Sequence, residues 1–388
     1  MSRALSIAMV GTRGAPARYG GFETAIEEIG TRLVERGHDI RVYCRTGNSE
    51  VTDSYRGMKL VTLPALRHRA LETLSHTGLS ALHLATHRTD AAFLFNAANA
   101  PFLPVIRAAR IPVATHVDGL EWKRAKWGPK GQAYYRGAET ASVWMSDALI
   151  ADAQGIADYY QEEFGVPTEL ITYGAPILTD VASDKLAEAG LSPDGFHLVV
   201  ARFEPENHVD MIVEGYLRSS ATRPLVVVGS APYADWYVAK VRSLAEGDPR
   251  VRFFGGVWDQ DLLDQMYAHC LSYLHGHSVG GTNPSLLRAI GAGAATTAFD
   301  VAFNREVVGA DGLFFGDPAD VAKAVERAEA DVDDQLSRGE RLQERARAYD
   351  WDHVADGYED LARRLVAGEV SGPWWGTRRR RPGRGENG

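Results

Sequence analysis

Short apolar runs alternate with amphipathic stretches of helical length along this chain, and the rhythm stops and restarts once near the middle. That rhythm leaves few architectures open. A strand followed by a helix is carried back across the face of its sheet, so the next strand pairs with it in parallel. Ser6–Val10, Ile40–Cys44, Ala91–Phe95, Val113–Val117 and Ala148–Ala151 read as strands. Thr24–Arg36 reads as a helix, with Ala25, Ile29 and Leu33 on one face and Gly37 placed to stop it. The segment Tyr173-Gly174-Ala175-Pro176 interrupts the pattern, and His197–Ala201, Leu225–Gly229, Val251–Phe254 and Leu271–Leu274 resume it. The expectation is an α/β chain of two similar domains, residues 1–175 and 176–349, hinged near residues 174–180. A last helix, about His353 to Val366 within residues 350–370, closes the chain.

The 388 residues suffice for two domains of ordinary size. A net charge of −9 argues against a general nucleic-acid binder, which would carry a basic face. Cys44 and Cys270 lie far apart and suggest neither a disulfide framework nor a zinc site. The N-terminus passes straight into a strand-like run without an apolar signal core, and no segment is long enough to span a bilayer. The expected location is therefore cytoplasmic. From Ser371 to Gly388 the chain is rich in glycine, proline and arginine, so a disordered basic tail is expected. Trp374 and Trp375 beside Arg378–Arg381 suit contact with the inner face of a membrane. A solvated tail without a partner is the other reading.

The candidate sites sit where apolar runs end. Gly276-His277-Ser278-Val279-Gly280-Gly281-Thr282-Asn283-Pro284-Ser285 follows one strand and enters an apolar helical segment, Leu286–Ala292. A glycine-rich turn opening a helix presents backbone N–H groups at the positive end of the helix dipole, a place for phosphate. A lone glycine loop serves backbone geometry just as well. A second loop, Val10-Gly11-Thr12-Arg13-Gly14, leads through Arg18-Tyr19-Gly20-Gly21-Phe22-Glu23 into the first long helix. Its spacing is not the dinucleotide fingerprint G-x-G-x-x-G, which disfavours a dehydrogenase.

His116-Val117-Asp118-Gly119-Leu120-Glu121-Trp122 packs polar groups directly after a strand, so His116 and Asp118 are candidates for acid, base or orienting roles. A charged surface loop is the bland alternative. Arg202, just past the first strand of the second half, is placed to pair in a fork with diphosphate oxygens. Glu204 and Glu206 would tether that arginine, reach a sugar hydroxyl, or form ordinary surface ion pairs. Gly229 and Ser230, and Asn304-Arg305-Glu306, are weaker points, the first suited to a base or ribose and the second to a helix start.

These motifs together resemble the retaining nucleotide-sugar glycosyltransferases of family four. Within it they are most similar to a subgroup with a DUF1972-type N-terminal domain that includes bacterial polysaccharide rhamnosyltransferases. The resemblance covers about the first 370 residues. It rests on Gly11-Thr12-Arg13-Gly14, Arg18–Glu23, Val117–Arg124, Ala201–Asn207 and Gly276–Leu287, in that order.

The resemblance implies the GT-B fold, two Rossmann-like doubly wound domains facing each other across a cleft. It implies a hexosyltransferase moving rhamnose or another hexose, with retention, from a dTDP- or UDP-linked donor to a glycan or lipid-linked acceptor. Donor contacts are expected at Gly20, Gly21, Arg202, Asn207, Gly229, Ser230, Gly281, Thr282, Asn283 and Arg288. Acceptor contacts are expected at Arg18, Tyr19, Phe22, Glu23, Glu121 and Trp122, and His116, Asp118, Arg202 and Glu204 are the catalytic candidates. No metal or other cofactor is expected, because arginine and helix dipole take the place of a cation on the diphosphate.

The chain departs from the family pattern at three positions. Asn207 stands where the wider family has lysine, although the subgroup also has asparagine there. Arg288 stands where a glutamate is expected to accept from the donor ribose, and a guanidinium cannot accept. Gly280 stands where the wider family has a second glutamate. These departures point to altered donor binding. A catalytically impaired relative that binds nucleotide or glycan is the alternative.

Overall fold

The computed structural model describes residues 3–17, 20–48, 53–66, 71–117, 119–124, 127–229 and 235–370. Two compact units emerge. Of the described residues, one holds the chain to Trp122, Trp127–Thr172 and the segment from Trp351 to Val370; the other holds Tyr173–Asp350 and the short segment beginning at Lys123.

The first unit begins β1 (Ser6–Val10), α1 (Gly21–Glu35), β2 (Asp39–Arg45), β3 (Ser54–Tyr55), β4 (Met58–Leu63) and α2 (Glu72–Thr86). It continues with β5 (Ala91–Phe95), α3 (Leu103–Ala108), β6 (Val113–Val117), α4 (Pro129–Met145), β7 (Ala148–Ala151), α5 (Gln154–Phe164) and β8 (Glu169–Leu170). The second unit runs α6 (Asp184–Glu188), β9 (His197–Val200), α7 (Val209–Arg218), β10 (Leu225–Val228), α8 (Asp235–Leu244), β11 (Val251–Gly255) and α9 (Gln260–Ala268). There follow β12 (Ser272–His275), α10 (Pro284–Gly291), β13 (Thr296–Phe299), α11 (Ala302–Val308), β14 (Leu313–Phe315), α12 (Pro318–Ala330) and α13 (Val332–Ala346). The last helix, α14 (Trp351–Ala367), belongs to the first unit.

Strand order in the first sheet is β3-β4-β2-β1-β5-β6-β7-β8, parallel except for the β3–β4 pair. The second sheet reads β11-β10-β9-β12-β13-β14 and is parallel throughout. The winding direction reverses between β1 and β5 in one unit and between β9 and β12 in the other. At such a reversal successive loops diverge beyond the carboxyl ends of the strands and leave a crevice where ligands bind.

The central strands are buried on both faces, which is why β5 and β10 are continuously apolar rather than alternating. Val10, Leu94, Leu103, Ile106 and Val113 join one core; Val199, Ile212, Tyr216, Val227 and Leu274 join another. Helix α14 covers the first sheet: Tyr358 lies against Phe93 with ring centroids 4.9 Å apart. Arg36, which caps the end of α1, pairs with Asp356 and Glu359 of that helix at 2.8 and 3.1 Å.

The parallel α/β architecture follows the sequence rhythm, with differences at the margins. Helix α1 starts at Gly21, ahead of the expected Thr24. Strands β3, β4, β8, β13 and β14 were not legible. They are two to six residues long and sit on the outer side of each sheet.

Candidate functional site

The crevice of the second unit is built by three loops fastened to one another. After β9 the chain runs Ala201-Arg202-Phe203-Glu204 into a single 3-10 turn, Pro205–Asn207. Phe203 is buried in the core and anchors this loop, leaving Arg202 half-exposed beside it. Nδ2 of Asn207 donates to the Arg202 carbonyl at 2.8 Å, and Oδ1 of the same amide lies 2.8 Å from Nδ1 of His277. An amide oxygen only accepts, so His277 carries its proton on Nδ1. Ser278 donates to the Glu206 carbonyl from its N–H at 2.9 Å and from its hydroxyl at 3.1 Å. His208 Nδ1 meets the Gly276 carbonyl at 2.8 Å while its ring stacks on Phe299 at 4.0 Å. Buried Asn304 extends the set, donating from Nδ2 to the carbonyls of His277 and Phe299, each at 2.9 Å.

Two glycines make the close packing possible. A Cβ on Gly276 would stand 2.0 Å from the Asn207 carbonyl oxygen. On Gly229, whose φ is 144°, it would stand 1.8 Å from that of Ala201. No side chain fits either position without displacing backbone.

The helix that follows is capped from within. Pro284 has no N–H, the Asn283 side chain accepts from Ser285 N–H at 2.9 Å, and the Asn283 carbonyl accepts from Leu286 and Leu287. This corrects the expectation of unpaired donors at the start of the helix itself, where the Asn283 side chain is taken up by the cap. The preceding loop around Gly281 and Thr282 is buried. Arg288, one turn on, binds the Asp264 carboxylate through Nε at 2.6 Å and Nη2 at 2.9 Å. The sequence suggests that arginine reverses the local charge; instead Asp264 neutralises it.

Arg202 Nη2 lies 3.6 Å from Glu204 Oε2. Arg124, which clusters with this unit, comes within 4.0 Å of Glu204 and 3.9 Å of Glu206. Burial raises the Glu206 pKa above the usual carboxylate range, and the neighbouring charge of Glu204 raises it further. Burial, reinforced by Arg124, His275 and Arg202, holds His277 well below its usual value, so its imidazole is neutral.

The first unit repeats the device. Nδ2 of fully buried Asn99 donates to the carbonyls of Gly11 at 3.1 Å and Phe95 at 2.9 Å, tying the loop after β1 to the end of β5. Asn99 carries no motif, and its sequence context gave no signal. Gly20, with φ 105°, leaves room for the Glu23 carboxylate, which would stand 2.4 Å from a Cβ there. Glu23 Oε1 accepts the Arg13 N–H at 3.0 Å. Glu23 thus helps to close the glycine loop.

His116 is the penultimate residue of β6 and is buried beside Phe22 and Phe95, with ring centroids 5.1 and 5.7 Å away. Burial lowers its pKa to about 3, so it is a neutral imidazole and not a proton donor at neutral pH. Phe22 is half-buried in the same aromatic group. Gly21 is the first residue of α1.

Glu121 and Trp122 line a small recess with Ala97, Gly119, Tyr135 and Glu139. There Glu121 accepts from Trp127 Nε1 at 3.3 Å, and the Arg136 guanidinium lies 4.9 Å from the centre of the Trp122 ring. Among the expected site residues, Arg18, Tyr19, Asp118 and Ser230 lie outside the described residues, as do Trp374, Trp375 and Arg378–Arg381. Among the described residues, no group of three or more His, Cys, Asp or Glu side chains is placed to hold a metal ion, and no helix is long and apolar enough to cross a membrane.

The fold of the chain is shared with known proteins. Residues 20–174 match the family described as Glycosyl transferase 4-like domain. A sucrose-phosphate synthase from Thermosynechococcus elongatus superposes with a TM-score of 0.79 at 20% identity, covering 94% of this chain and 100% of the other. Anabaena Alr3699/HepE in complex with UDP-glucose gives 0.75 at 16% identity, over 92% and 100% of the two chains. The Escherichia coli trehalose-6-phosphate protein bound with UDP-2-fluoro glucose gives 0.71 at 12%, over 92% and 98%. No curated protein sequence matches. The chain therefore has the GT-B fold of nucleotide-sugar glycosyltransferases, and its residues 20–174 match a glycosyl transferase 4-like domain.

Proposed function

We propose that this protein is a glycosyltransferase of the rhamnosyltransferase-like subgroup. It moves rhamnose or another hexose from a dTDP- or UDP-linked donor to a glycan or lipid-linked acceptor, with retention, in cell-surface polysaccharide synthesis. The observation that carries this reading is the Asn207 clip, which fixes the Arg202 loop to the loop of His277 at the reversal between β9 and β12. Negative charge develops on the departing diphosphate as the glycosidic bond breaks. Arg202 and the N–H groups around Gly281 and Thr282 supply fixed positive partners for it, and a metal ion is not required. The acceptor is assigned to the first unit, around Glu121 and Trp122, where a carboxylate and an indole suit the hydroxyls and apolar face of a sugar.

A second reading, a relative that binds sugar nucleotide without transferring sugar, is favoured by one observation. Arg288 and Asp264 satisfy each other, so residue 288 offers no acceptor to a ribose.

A panel of dTDP-, UDP- and GDP-sugars tests both. One donor is expected to raise the melting temperature by mass action, and Arg202→Ala to abolish the rise. Absence of any shift, or an identical shift in the variant, overturns the donor site. Binding without product on any acceptor selects the second reading.

A further inference from the structure

Glu206 is a buried carboxyl with no task in the reaction described so far. It sits within the 3-10 turn Pro205–Asn207, and its carbonyl accepts from the N–H of Ser278 at 2.9 Å and from the hydroxyl at 3.1 Å. The backbone is thereby fixed, and the side chain is 3% exposed. Neither carboxyl oxygen has a hydrogen-bond partner of good geometry among the described residues. A carboxylate so placed loses its hydration without gaining donors, which favours the protonated form. Burial, and then the charge of Glu204, push its pKa up.

The charges beside it are closely balanced. Nη2 of Arg202 lies 3.6 Å from Oε2 of Glu204, and Nη1 of Arg124 lies 4.0 Å from that same oxygen and 3.9 Å from Oε1 of Glu206. The other titratable groups on the loops packed here are His208, whose Nδ1 meets the Gly276 carbonyl, and His275 and His277, which burial keeps neutral. Two guanidiniums thus offset two carboxylates. A diphosphate that takes Arg202 as its partner draws that cation from Glu204 and adds negative charge of its own. Glu206 cannot swing out to water, so it responds by changing protonation rather than position.

We infer that Glu206 is the proton-binding residue of the donor site: seating a sugar diphosphate against Arg202 draws up to one proton from solvent onto the Glu204–Glu206 pair. The role rests on the sugar-nucleotide reading of this crevice and deepens it. Glu206 acts on the ligand through Arg202 and not by contact. Because the ligand favours the protonated pair, affinity rises as pH falls through a window just above the raised carboxylate range. Below that window the free protein is already protonated, and above it the complex too is ionised.

The test is isothermal titration calorimetry of the full chain with dTDP-, UDP- and GDP-sugars across about pH 5 to 8, in paired buffers of different ionisation enthalpy. These diphosphates are esterified at both ends and do not titrate there themselves. Wild-type protein is expected to take up protons on binding, and its affinity to fall by up to about tenfold per pH unit within the window. Glu206→Gln, which fixes the neutral state, should bind without proton uptake and, at the alkaline end, more tightly than wild type. Glu204→Gln removes the neighbouring charge and should move the uptake to lower pH; it carries the test if Glu206→Gln does not fold. Wild-type binding without uptake, uptake that persists in Glu206→Gln, or an unmoved window in Glu204→Gln overturns the inference and leaves the donor site standing. Absence of binding heat with every sugar nucleotide sinks both.

Discussion

The amide of Asn207 joins two loops that meet nowhere near each other in sequence: its oxygen lies 2.8 Å from His277 Nδ1 and its nitrogen 2.8 Å from the Arg202 carbonyl. A lysine in its place would donate but not accept. His277 would then keep a buried N–H without that partner, so the asparagine is matched to the histidine seventy positions on.

Asn207→Ala is therefore expected to destabilise the second unit by about 1–3 kcal/mol, the cost of stranding buried polar groups. It should also weaken nucleotide binding about tenfold, because the Arg202 loop loses its tether. Chemical denaturation and calorimetry read the two effects separately.

Arg288 and Asp264 form a two-bond pair at 2.6 and 2.9 Å, in which both side chains are mostly shielded. Arg288→Glu sets two carboxylates face to face and should cost about 1–3 kcal/mol, whereas Arg288→Glu with Asp264→Asn should recover most of it. A double-mutant cycle on unfolding free energies measures this coupling. The donor affinity of the double variant reports whether a glutamate at 288 improves nucleotide binding.

Gly276→Ala places a methyl 2.0 Å from the Asn207 carbonyl oxygen, where backbone must move. The expected loss is about 2–3 kcal/mol, together with the nucleotide-induced thermal shift. Gly316→Ala, with nothing within 4 Å of the added carbon, is the neutral comparison.

Burial lowers His116 and His275 to about 3 and His76 to about 4, from an ordinary 6.5. Between those values the unfolded chain binds protons that the native protein does not, so native stability falls as pH falls. The loss should begin near pH 6.5 and amount to on the order of 1 kcal/mol per pH unit for each histidine, ending near pH 3–4. Urea titrations across this range check it, and His275→Gln should lower the slope by about one proton.

The fold was largely legible because a doubly buried parallel strand must be apolar along its whole length. β5 and β10 advertise themselves in that way, and β1 does so after its first residue. β13 (Thr-Thr-Ala-Phe) and the two-residue β8 do not, since position in the sheet rather than composition makes them strands. The sequence reading brought Arg202, Asn207 and the Gly276–Asn283 loop into one constellation, and the same three stand at one sheet reversal. It did not foresee the bond of Glu23 to Arg13 N–H, which depends on a local turn that periodicity does not encode. It also missed Asp264 and Asn99, whose partners are distant in sequence or are backbone carbonyls with no residue signature.

The loops around the β9–β12 reversal are fastened largely by neutral groups: two asparagine amides, a serine and the imidazole of His277. Bonds of this kind ignore ionic strength, whereas attraction between Arg202 and an anion is screened by it. Added salt should therefore lower ligand affinity while leaving the unliganded melting profile of the second unit in place. Shape and charge in this pocket answer to different solvent variables.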